Sequence, residues 1–291
     1  MDKKYTLQNE RMKIAVAAKG AELQQIEDLK SGQSYMWHGG EPWPKYAPVL
    51  FPIVGALKEG VYHFKGKQYQ LPRHGFARDR VFDLHVQTPT TLSFVLTSDD
   101  ATLAIYPFQF EFYINYILLD NGLEVKYSVI NKGGDDMFFS VGGHPAFKLP
   151  LFAGDQYEDY TIEFEKKENT GRWLLDNGLI KSASAPLLHN SSILPIRKDL
   201  FYQDAIVLKH LNSSKLQLLS SKSGAGFAFD FAGFPYLGIW AAPNADFICI
   251  EPWCGIADAV DSSQELSEKE GIHKLASHET FERSWQFTTI G

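Results

Sequence analysis

Apolar and polar residues alternate with a period of two over several separate stretches of the chain. Leu123, Val125, Tyr127 and Val129 are interleaved with Glu124, Lys126 and Ser128. Tyr160, Ile162 and Phe164 alternate with Thr161, Glu163 and Glu165, and Phe227, Phe229 and Phe231 with Ala228, Asp230 and Ala232. Successive side chains of a strand point to opposite faces, so each stretch predicts a half-buried strand. Asp120-Asn121-Gly122, between an apolar run at 113–119 and the run from Leu123, predicts a hairpin. Lys65-Gly66-Lys67 predicts a second and Lys30-Ser31-Gly32-Gln33 a third. Helical patterning is scarce: the best stretch is 262–276, with Ser263 as its cap, and Gly271 interrupts it. Many short strands without interleaved helices predict an all-β, antiparallel, curved two-sheet sandwich. No Pro/Ser linker or low-complexity segment divides the chain, so residues 1–291 are expected to form a single domain, with a two-domain all-β arrangement as the alternative.

Composition narrows the function. The chain has 291 residues, 44% of them hydrophobic, which permits a large core. A net charge of −7 leaves no basic excess to neutralise phosphates, so neither nucleic acid nor an anionic membrane surface is an expected partner. No apolar run approaches the ~20 residues of a transmembrane helix. Met1-Asp2-Lys3-Lys4 leads only to the short apolar run 14–18, too short for a signal-peptide core. Two cysteines do not make a disulfide framework, and a reduced cytoplasmic setting is expected. Aromatic residues reach 14%, which suits both sheets and stacking on sugar faces.

Four segments carry candidate chemistry. In Phe247-Ile248-Cys249-Ile250-Glu251-Pro252-Trp253 a single carboxylate ends an apolar strand-like run. Alternation puts Glu251 on one face with Phe247 and Cys249, where desolvation raises a carboxyl pKa toward that of a general base. The plainer reading is a surface glutamate at a strand end. In Val141-Gly142-Gly143-His144-Pro145, paired glycines let the backbone pass close to a neighbour beside His144. In Pro72-Arg73-His74-Gly75-Phe76-Ala77-Arg78, a histidine lies between two arginines, which read singly as a solvated turn. Asp204 precedes the apolar run 205–208 and reads first as a turn cap. No phosphate-binding glycine loop and no G-x-S-x-G elbow occurs. The C-x-x-C, H-x-H and H-E-x-x-H spacings are also missing, and Cys249 and Cys254 bracket Glu251 without a nearby histidine pair. Neither a metal nor a cofactor is therefore expected. One glutamate with one or two histidines suits proton shuttling on a neutral substrate.

Taken in order, several motifs resemble the aldose 1-epimerase (galactose mutarotase-like) family. They are Gly39-Gly40-Glu41-Pro42, Leu50-Phe51-Pro52-Ile53-Val54-Gly55, His74-Gly75-Phe76-Ala77-Arg78, Gly143-His144-Pro145-Ala146-Phe147 and Ile250-Glu251-Pro252-Trp253. The resemblance runs from about residue 10 to the end. It implies a large antiparallel β-supersandwich. It implies Glu251 as the base on the anomeric hydroxyl and His144 as the acid on the ring oxygen, with His74 a second histidine at the sugar. Asp204 is similar in position to an aspartate holding sugar hydroxyls, and Arg78 to an arginine of the hexose-6-phosphate epimerase branch. The chain departs from the pattern where Pro145-Ala146-Phe147-Lys148 replaces Pro-Tyr-Phe-Asn, which argues against galactose as preferred substrate. Arg73, Arg78 and Arg80 suit a phosphorylated sugar. Trp240, Trp253, Phe147 and Phe76 are candidates for an apolar platform under a pyranose. The expected protein is a cofactor-free isomerase acting on a small-molecule sugar, as a monomer or homodimer. The alternatives are a hexose-6-phosphate 1-epimerase and a non-catalytic carbohydrate-binding module. A third is a lyase or hydrolase using Asp204 and Glu251 as paired carboxylates.

Overall fold

The computed structural model describes residues 3–291, so Met1 and Asp2 of the expected domain and leader reading lie outside the described residues. Two sheets carry the architecture. The smaller has four strands, Lys4–Gln8, Met12–Ala17, Glu22–Asp28 and Gln33–Ser34, in sequential order. The larger has 15 strands, and every ladder between strands is antiparallel. One end of it runs Val49–Leu50, Val141–Gly143, Phe247–Cys254, Tyr236–Trp240, Ile206–Lys209 and then Tyr160–Asp176. The sheet continues through Lys215–Ser220, Gly226–Asp230, Thr280–Ile290, Gly122–Asn131 and Phe110–Leu119, out to Thr91–Thr97 and Asp83–Gln87. Ile14, Val16, Leu23 and Ile26 of the small sheet share one buried cluster with Phe112, Ile114, Val125 and Tyr127 of the large one. The result is a large antiparallel β-sandwich, as the alternation predicts.

The predicted strands bury the faces expected of them. Leu123, Val125, Tyr127 and Val129 are buried within Gly122–Asn131, as are Tyr160, Ile162 and Phe164 within Tyr160–Asp176. The Asn121 hairpin closes with Leu119 paired to Gly122, and the Gly66 hairpin with Phe64 paired to Lys67. The expected helix at 262–276 is overturned. That segment holds one 3-10 turn, Leu266–Glu268, and a strand, His273–Leu275, paired with Met137–Phe139. Gly271 takes φ +72° with a Cβ position only 2.8 Å from the Tyr236 ring, a left-handed kink that no helix continues through. The α-helix among the described residues is instead Asp100–Ile105, which the alternation pattern does not reveal. It begins at a capping box: Asp99 Oδ1 accepts from the Thr102 amide at 2.7 Å, and Thr102 Oγ1 accepts from the Asp99 amide at 2.8 Å.

Candidate active site

Glu251 lies within its strand rather than at its end, because Phe247–Cys254 continues for three residues beyond it. The surface reading is excluded: the residue is 1% exposed. On one side it pairs with Gly238 of Tyr236–Trp240. On the other side the neighbouring chain pairs at Gly142–Trp253 and again at Ala146–Cys249, and His144 sits in the gap between those pairings. The unbroken register on either side of the gap puts His144 directly across from Glu251. His144 Nε2 and Glu251 Oε2 are 3.2 Å apart. The two glycines make this approach possible. A Cβ on Gly142 would come within 2.8 Å of the Trp253 ring, and one on Gly143 within 2.7 Å of Tyr127 Oη.

Electrostatics hold both members of the pair neutral. Burial pushes the Glu251 carboxyl well above its usual range, and Trp253 and Arg73 offset this only in part. Burial likewise lowers the His144 imidazole to about 3, helped by the charges of Arg78, Arg73 and Lys45. His144 Nδ1 has no hydrogen-bond partner. Its ring is stacked by Trp43 at a centroid distance of 5.0 Å and met edge-on by Trp240 at 5.7 Å.

His74 completes the floor of the cleft. Its ring meets that of His144 edge-on at 5.8 Å. Its Nδ1 accepts from the Gly55 amide at 3.1 Å, and burial keeps it neutral, its pKa well below the ordinary histidine value. The neutral ring therefore carries its proton on Nε2. His74 has φ +69° and Gly75 φ +71°, and a Cβ on Gly75 would lie 2.2 Å from Phe51 O. Only glycine allows the loop to lie this close to the Phe51 backbone.

The walls come from farther away in sequence. Glu251, His144, His74, Arg78, Asp204 and Trp240 all line one cleft of about 200 Å³, together with Trp43, Lys45, Arg73, Trp253 and Gly178. Arg78 Nη2 donates to Arg73 O at 2.7 Å. Arg73 Nη2 is 3.9 Å from Asp204 Oδ2 across a half-exposed gap. Asp204 keeps the turn role read from sequence, accepting from the Ala205 amide at 2.8 Å, and faces the cleft as well. Arg80 departs from expectation: it pairs with Asp99 at 3.5 Å and does not line the cleft. Phe147 and Phe76 are core residues, packed against Phe227 and Phe51 respectively, so the aromatic lining is Trp43, Trp240 and Trp253. Trp43 and Lys45 were not singled out in the sequence, although Trp43 directly follows the Gly39-Gly40-Glu41-Pro42 motif. Cys249, on the same strand face as Glu251, brings a third ligand-type atom to the pair: sulfur, imidazole nitrogen and carboxylate oxygen lie within 4.8 Å of one another.

Fold and cleft together define a large antiparallel β-sandwich with a carboxyl–imidazole pair buried at the bottom of an aromatic-walled cleft. The sequence profile described as aldose 1-epimerase matches residues 3–270, and the chain belongs to that family. Protein LacX of Lactococcus lactis subsp. lactis, in a chromosomal and a plasmid form, is 32% identical over 295 residues, covering 98% of each chain. A galactose mutarotase related enzyme from Lactobacillus acidophilus superposes with a TM-score of 0.93 at 34% identity, over 99% of this chain and 98% of that one. A galactose mutarotase-like protein from Lactobacillus casei gives 0.91 at 29% identity, over 99% and 100%. Family membership supports an isomerase activity of mutarotase type. No described helix is long and apolar enough to cross a membrane.

Proposed function

We propose that the chain is an aldose 1-epimerase that interconverts the α and β anomers of a hexose, with Glu251 as base and His144 as acid. The observation that carries this reading is the 3.2 Å contact between the two groups at the bottom of the cleft. With the carboxyl protonated and the imidazole neutral, the pair holds one proton beyond the imidazole's own N–H. Carboxylate plus imidazolium holds the same number, so the catalytic state is reached by moving that proton within the pair. Glu251 then takes the anomeric hydroxyl proton while His144 protonates the ring oxygen. The bond between C1 and the ring oxygen breaks and leaves an aldehyde. Rotation about C1–C2 presents the other carbonyl face, and the two transfers run backwards to close the ring. In this reading His74, whose Nδ1 is taken by the Gly55 amide, donates from Nε2–H to a sugar oxygen, and the tryptophans offer flat surfaces to the CH faces of a pyranose.

A second reading concerns the sugar. Lys45, Arg73 and Arg78 give the cleft wall an excess of positive charge, which favours a phosphorylated hexose over a neutral one. Two other readings have less support. A pure binding module gains nothing from burying Glu251 beside His144, an arrangement that costs stability. Asp204 is engaged by the Ala205 amide and faces Arg73, which leaves it poorly suited to act as a hydrolase's second carboxylate.

The test is α/β exchange at the anomeric protons, followed by NMR with glucose, galactose and glucose 6-phosphate. Wild-type protein accelerates exchange of at least one, and Glu251→Gln and His144→Asn each lose about 10²–10⁴-fold while remaining folded. A faster response to glucose 6-phosphate than to glucose selects the anionic sugar. Undiminished exchange in Glu251→Gln would refute the role given to that residue.

A further inference from the structure

Cys249 takes no part in the acid–base reading, yet it sits against both of its members. It precedes Glu251 by two residues on the same strand face, so the two side chains leave the sheet side by side. His144 arrives from across the ladder. The histidine absent from the sequence around the cysteines is thus supplied by the fold, 105 positions away from Cys249 in the chain. All three residues are buried. Two of the donor atoms are also uncommitted: Glu251 Oε2 has no hydrogen-bond partner, and Cys249 is a free thiol. Neighbouring ligand atoms around a tetrahedral zinc ion stand about 3.3–3.6 Å apart. The His144–Glu251 separation of 3.2 Å already matches that spacing. The sulfur, within 4.8 Å of the other two atoms, needs to close by about an ångström.

We propose that His144, Cys249 and Glu251 form a three-ligand site for a thiophilic divalent cation of the Zn²⁺ class, with the fourth coordination position open to the cleft. One nitrogen, one sulfur and one carboxylate oxygen favour Zn²⁺ or Co²⁺ over Mg²⁺ and Ca²⁺, which take oxygen donors. The metal–sulfur bond forms as the thiol proton leaves to solvent, and any carboxyl proton leaves with it. A bound ion occupies both members of the acid–base pair, so it blocks proton transfer rather than assisting it. That consequence rests on the epimerase reading; the binding itself does not.

Co²⁺ titrated into the reduced protein reads the site directly, because a thiolate-to-cobalt charge-transfer band appears only if sulfur ligates. Wild-type protein should give a band that saturates at one equivalent, is displaced by Zn²⁺ and is unaffected by Mg²⁺. Cys249→Ser should lose it. Cys254→Ser should keep it, since Cys254 lies on the other strand face near Gly233 O. Circular dichroism confirms that Cys249→Ser is folded. If it is not, His144→Asn decides, with saturation shifted to about tenfold higher Co²⁺ or more. A wild-type protein without a saturable band, a band that survives in folded Cys249→Ser, or an unshifted His144→Asn would overturn the proposal. Anomer exchange in the same samples should fall as Zn²⁺ binds. Absence of exchange with every sugar would count against the epimerase reading alone, and the cobalt band would still decide the metal site.

Discussion

Glu251 and His144 are both kept neutral by burial, and they affect stability in opposite directions as pH changes. The folded-state pKa of Glu251 lies well above its ordinary 4.5. Above that ordinary value the unfolded chain gives up a proton that the native protein retains, so stability is lost as pH rises. The His144 imidazole, lowered from 6.5 to about 3, works the other way. Between those values the unfolded chain holds a proton that the native protein lacks, so stability is gained as pH rises through that window. Glu251→Gln keeps the shape and removes the first effect. Scanning calorimetry should find it more stable than wild type at about pH 8, with the difference shrinking toward about pH 5. A variant less stable than wild type at the higher pH would contradict the burial argument. At this scale the sequence was informative where a polar group broke an apolar run. Glu251 and His144 stand out in that way, and His74 between its arginines does too. Trp43 does not, because an aromatic looks the same in sequence whether it lines a cleft or, like Phe147, fills the core.

Among the elements, the long hairpin of Tyr160–Asp176 and Leu179–Pro195 brings its tip to the cleft. Gly178 at that tip lies against Arg73, where a Cβ would stand 2.5 Å from Nη2. Lower in the same strand, Arg172 donates to Leu200 O at 2.8 Å and to the carbonyls of Asp204 and Ala205 at 2.9 and 3.2 Å. Arg172 therefore fixes the turn that presents Asp204, itself at φ +73°. Arg172→Gln should loosen that turn and raise KM severalfold with little change in kcat, because the proton-transfer pair is untouched. A fall in kcat at constant KM would show that the turn acts on the chemistry instead. Elements were legible where one face was buried over five or more residues, as in Gly122–Asn131. The stretch 262–276 misled because serine and charged residues mimic a capped helix. Its actual course is set by partners outside the segment, Met137–Phe139 for His273–Leu275 and Asp258 for Lys269. Asp100–Ile105 is too short for any periodicity to show.

Across the whole molecule, a buried ion pair ties the last turns to the cleft. Lys269 Nζ lies 2.7 Å from Asp258 Oδ1, with side chains 3% and 2% exposed, and Asp258 Oδ2 accepts from the Lys58 amide at 2.9 Å. Ala257, beside it, lines the cleft against Gly55. Removing one partner strands the other charge, so Lys269→Met should cost about 3–5 kcal/mol in urea unfolding. A loss under about 1 kcal/mol would mean that Asp258 finds water or a proton instead. The sandwich itself could be read from alternation. The adjacency of Val49–Leu50, Val141–Gly143 and Phe247–Cys254 could not, since local pattern says nothing about which distant strands pair. That adjacency has a consequence for how such a protein diversifies. Glu251 and His144 are set by the register of sheet strands, whereas Arg73, Asp204 and Gly178 come from turns and Arg78 from the short 3-10 helix Ala77–Asp79. Turns accept insertion and exchange that a sheet interior does not. Reaction and recognition are therefore inherited through separate parts of the chain, and a new sugar can be accommodated by replacing rim turns while the proton machinery passes on unaltered.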